Sequence, residues 1–217
     1  MSGLSPYAVA AAWGLAGIGV GLVIRRASVW LAWREGLEPA SRRWQVYGPP
    51  ILAAVLFAAF GWRLGATPLL LVRSLWVAVL VQVIFFDLEH HLILDRVLLP
   101  AVISALLLSV VTPNLGWTAA LLTGLGTGLV FLAIAGLGAL IFHGEAMGLG
   151  DVKFSVFLGL ILGLRPTLAA VLIGVVLAGL VAFLLLLLRQ RRLRDSIAYG
   201  PFLALGALVA LFGLGAG

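Results

Sequence analysis

Two aspartates, Asp87 and Asp151, stand where apolar runs of this chain meet polar ones, and a pair of carboxyl groups can activate water. A carboxylate at the centre of a bilayer costs about 2.5–3.5 kcal/mol on insertion scales, and less near the surface, so such a residue is a functional candidate by default. Asp87 abuts Phe85-Phe86 at the end of an apolar run, a setting that ordinary solvation does not explain. Asp151 is introduced by Gly148-Leu149-Gly150, whose glycines are expected to allow unusual backbone angles and to let another chain lie close. Like charges held close cannot both ionise cheaply, so a juxtaposed pair shares one proton. The ionised member can then take a proton from water while the protonated one donates to the group that the water attacks. The alternative for Asp151 alone is a helix cap that accepts backbone N–H groups.

The elements that must position these residues are membrane spans. Hydrophobic residues make up 63% of the 217 and charged ones 10%, against roughly 25% charged in a soluble domain; the mean hydropathy is +1.21. The expected fold is all-α, a polytopic membrane helix bundle of about eight transmembrane helices with both termini outside. The apolar runs are Pro6–Ile24, Pro49–Trp62, Leu69–Phe86, Val97–Val111, Trp117–Phe142, Asp151–Leu164, Thr167–Leu188 and Ala198–Gly215. Some of these, notably the second and sixth, fall short of the roughly 17 residues needed to cross unaided. Eight spans place Arg25, Arg26, Arg34, Arg42, Arg43, Arg96, Lys153, Arg189, Arg191, Arg192 and Arg194 inside, leaving Arg63, Arg73 and Arg165 outside, as the positive-inside rule requires. Residues 1–217 are then a single integral-membrane domain, with 25–48 a short basic cytoplasmic loop, and both aspartates lie at the cytoplasmic face.

Charge and composition also exclude. The net charge of +6 sits in short inter-span segments, where it meets anionic lipid rather than nucleic acid. With no cysteine, thiol catalysis and Cys-ligated zinc are out. His90 and His91 are adjacent and no HExxH occurs, so no metal site is expected. Ser104, Ser109 and Ser155 have no His downstream of His143 to activate them. The rival from another class is a proton- or ion-coupled transporter using Asp87 and Asp151 as a relay, which calls for carboxylates near the bilayer midplane.

Three blocks resemble the type IV prepilin peptidase family of membrane aspartic proteases. They are Asp87-Leu88-Glu89-His90 with Asp95 following, Glu145-Ala146-Met147-Gly148-Leu149-Gly150-Asp151-Val152-Lys153, and Tyr199-Gly200-Pro201-Phe202-Leu203-Ala204-Leu205-Gly206. The resemblance implies that Asp87 and Asp151 are the catalytic pair of an endopeptidase of the bacterial inner membrane. Its implied substrates are type IV prepilin-like precursors, whose short basic leader is removed at the cytoplasmic face. Gly148, Gly150, Lys153, Glu89, Asp95 and Glu145 are then candidates for contacting substrate, the acidic ones by attracting the leader. The chain departs from the family at Leu94, where a Pro usually precedes the second acidic residue. It also lacks the cysteine-containing N-terminal insertion linked to N-methylation of the new terminus. Glu35, Arg42 and Arg43 stand in the corresponding loop, and a basic loop lying on lipid accounts for them equally. Proteolysis of this kind needs no cofactor; S-adenosylmethionine enters only if methyltransferase activity is retained.

Overall fold

Hydrocarbon offers no partner to a backbone N–H or C=O, so an apolar chain that enters it must close its hydrogen bonds internally. The computed structural model describes residues 5–39, 42–142, 147–188 and 198–213, and these form eight helices and no strand. In chain order they are α1 (Pro6–Arg34), α2 (Arg43–Leu64), α3 (Pro68–His90), α4 (Asp95–Leu108), α5 (Trp117–Phe142), α6 (Leu149–Leu162), α7 (Leu164–Leu187) and α8 (Gly200–Gly213). α1, α2, α3, α5 and α7 are long and apolar enough to cross a membrane alone. The other three have 14 residues each, about 21 Å of helix at 1.5 Å per residue, against a hydrocarbon core of about 30 Å. The protein is a polytopic helical membrane protein.

Two helices extend furthest beyond their apolar runs. α1 continues ten residues beyond Ile24 to Arg34, because charge ends an apolar run without ending a helix, and Arg, Ala and Leu are good helix formers. At 29 residues it is about 43 Å long, more than the hydrocarbon needs. α2 begins at Arg43, six residues before Pro49, so residues 25–34 and 43–48 are helical and only 35–42 connect the two helices. Gln45 Oε1 accepts from the Arg42 backbone N–H at 2.8 Å, which secures that start. The short second run thereby becomes a helix of spanning length, whereas the sixth remains short.

The described residues divide into two compact units, one ending at His90 and the other beginning at His91. In the first, α3 is the most enclosed helix: Trp76, Val77, Leu80 and Val81 are no more than 1% exposed. α1 packs on α2 through Gly17 and Gly21, where a Cβ would overlap the backbone at Ala53–Ala54 and at Pro50. Two polar links cross between helices. Trp13 Nε1–H donates to Ser74 Oγ at 2.7 Å, and Gln82 Nε2–H donates to Ser28 Oγ at 3.0 Å.

In the second unit α6 takes the central place. Phe154, Phe157 and Leu158 are fully buried, and α4, α5, α7 and α8 all pack against it. α5 approaches most closely at Gly124, opposite Gly159. Gly163, at φ 74°, turns the chain from α6 into α7.

His91, immediately after α3, has φ 51°, the left-handed conformation that Gly adopts freely and a branched side chain resists. His91→Gly is therefore expected to raise the thermal midpoint in detergent slightly. His91→Val is expected to lower stability by about 1–2 kcal/mol. Equal midpoints for the two variants would show that this backbone angle carries no strain.

Candidate active site

Asp87 lies three residues before the end of α3 and is only 4% exposed, so the helix that carries it is apolar almost to its last turn. Its neighbours in sequence are enclosed as well. Glu89 and His90 have side chains 11% and 8% exposed, and His90 Nε2 lies 3.3 Å from Glu89 Oε1. The His90 ring rests against Phe86, with centroids 4.6 Å apart. Glu89 also lines a small cavity of the first unit with Arg25, Ser28, Gln45 and Phe85. Glu89 is thus largely enclosed, at the edge of this cavity and beside His90.

Asp151 occupies the third position of α6, after Gly148 as N-cap, Leu149 and Gly150. Gly148 holds the N-cap position, so Asp151 stands at the third helical position rather than at the cap itself. A carboxylate in the first turn still benefits from the helix dipole, by about 0.3–1 kcal/mol. The glycines act differently from one another. Gly148 has φ −69°, open to any residue, and Gly150 is helical, so neither supplies an unusual backbone angle. Close approach is found at Gly150: a Cβ there would lie 3.2 Å from Ile93 Cβ.

The second unit brings three of the remaining candidates together. Lys153 Nζ donates to both carboxylate oxygens of Asp95, at 2.8 Å and 2.7 Å. This joins the first residue of α4 to the first turns of α6, beside the Gly150–Ile93 contact. No helix-spacing rule could have found a pair 58 residues apart. Also hidden in the sequence was Arg73, which is 5% exposed within α3, although a lone Arg inside an apolar run is a signal in itself. Glu145, like His143, lies outside the described residues.

Fold and site together define a multi-pass helical membrane protein with a carboxylate at the end of one helix, Asp87, and another at the start of a second, Asp151. Residues 74–184 match the model of the type IV leader peptidase family. That is 184 − 74 + 1 = 111 of 217 residues, just over half, and the chain belongs to this family. Among curated proteins it is similar to a "Prepilin leader peptidase/N-methyltransferase" of Bacillus subtilis (strain 168), 32% identical over 74% of this chain and 62% of that one. Proteins of the same name from Legionella pneumophila and Aeromonas hydrophila are 27% and 28% identical. Those matches cover 74% and 84% of this chain, and 56% and 63% of the relatives. The chain thus spans less than two thirds of the length of each. No solved structure matches it significantly.

Proposed function

We propose that this protein is an intramembrane aspartic endopeptidase that removes the basic leader from type IV prepilin-like precursors at the cytoplasmic face of the bacterial inner membrane. Family membership supports the class, and the observation that carries the reading is Asp87: a carboxyl group 4% exposed at the end of an apolar helix. Asp151 is its partner. Water adds to the carbonyl carbon of the scissile bond as one Asp accepts a water proton. The other Asp protonates the carbonyl oxygen, and the resulting tetrahedral adduct collapses with a proton delivered to the leaving nitrogen. The precursor's apolar segment stays in the membrane and its leader remains at the surface. Such precursors belong to pilus and secretion systems.

Both aspartates lie within three residues of a helix end, which disfavours a transporter relay built at mid-helix. Proteolysis by the pair needs no cofactor. No methyl-transfer step is assigned to this chain.

The protein purified in detergent, incubated with a prepilin-like precursor, is expected to release the leader at one bond, read by mass and by sequencing the new N-terminus. The same spectrum reads any added methyl group. An intact precursor beside a folded protein would exclude the peptidase.

A further inference from the structure

Asp151 is bracketed by two contacts to the same short stretch of chain. One residue before it, Gly150 seats against Ile93; two residues after it, Lys153 grips both oxygens of Asp95. Positions 150 and 153 are three apart on α6 and share a face, while position 151 is turned about 100° from 150. Ile93 and Leu94 are themselves 9% and 7% exposed, so the stretch receiving these contacts is held in place.

We infer that this two-point clamp sets the rotation of α6 about its axis and thereby aims the Asp151 carboxyl group. Asp95 and Lys153 are then positioning residues, and their charges serve each other rather than the leader. The role of Asp151 is taken from the peptidase reading above; the clamp itself does not depend on it. The lever is short but sufficient. A side chain about 5 Å from a helix axis moves about 2 Å for a 20° rotation, and a misplacement of about 1 Å can cost about 100-fold in rate. An ion pair half exposed to solvent adds little to stability. What the pair supplies is therefore geometry rather than stability.

The test uses both activity and a readout independent of it. Lys153→Met and Asp95→Asn are each expected to lower kcat for precursor cleavage by about 10–100-fold with KM little changed. Lys153→Arg is expected to retain most activity, and the reversed pair, Asp95→Lys with Lys153→Asp, to recover most of it. Because the chain has no cysteine, Ile93→Cys with Gly150→Cys reports the contact directly by disulfide formation under mild oxidation. Adding Lys153→Met should slow that cross-link several-fold, and the reversed pair should restore it. A cross-link rate indifferent to Lys153→Met overturns the clamp. A rise in KM alone, or a reversed pair no better than the single variants, overturns the positioning role in favour of substrate contact. If the Ile93→Cys/Gly150→Cys protein cross-links as expected but the wild-type protein leaves the precursor intact, the peptidase reading is refuted and, with it, the aim assigned to the clamp, while the clamp stands.

Discussion

Asp87→Asn and Asp151→Asn are each expected to reduce precursor cleavage by about 10³-fold or more while leaving the protein folded. The proposed chemistry needs one carboxylate as base and one carboxylic acid as donor. Asn can neither accept the water proton at neutral pH nor supply an acidic one, although its shape is nearly the same. A single general acid or base contributes typically about 10²–10⁴-fold, and residues that act as a unit fail together. The double variant should therefore be little worse than either single one. Asp87→Asn also separates catalysis from packing: Asp87 is 4% exposed, so a purely structural carboxyl group would show its loss in thermal stability instead of rate. A retained rate with a lowered midpoint would assign Asp87 to the fold and dismiss the dyad.

The second large effect is on assembly. Gly159→Leu is expected to prevent stable folding of the second unit. A Cβ at position 159 would lie 2.6 Å from Gly124 Cα, 2.7 Å from Thr123 O and 2.8 Å from Gly124 N, all backbone atoms of α5. No side chain can rotate away, so the two helices must separate. Overpacking a well-packed core costs typically about 1–3 kcal/mol, and a backbone obstruction belongs at or above the top of that range. Gly126→Leu, two residues from Gly124, is the matched control. Nothing lies within 4 Å of a Cβ there, so its midpoint should move by no more than about 0.5 kcal/mol equivalent. Size-exclusion profiles and thermal midpoints in detergent distinguish the two. Equal behaviour of the variants would deny the close α5–α6 contact.

Gly159 and Gly126 show why part of the molecule could not be read from the chain. Both are glycines in apolar runs, and nothing in one dimension says which faces a helix and which faces lipid. Lys153 teaches the same lesson with charge. Two residues after Asp151, it reads as a side chain turned to lipid or substrate, yet it is bound to Asp95, which lies 58 positions earlier. The end of α1 was hidden for a different reason. Hydropathy reports where the chain leaves hydrocarbon, whereas the helix stops only where its backbone bonding stops, at Arg34.

By itself the sequence determined the solvent and marked the candidate residues. Long apolar runs must become helices in hydrocarbon, and an aspartate at the edge of such a run is expensive enough to need a reason. Those are properties of residues and their immediate neighbours. Tertiary structure alone decided which glycines are crowded, where α6 begins, and that Asp95 and Lys153 hold each other beside Gly150. Such outcomes depend on which helix faces meet, and that is settled by packing between segments far apart in the chain.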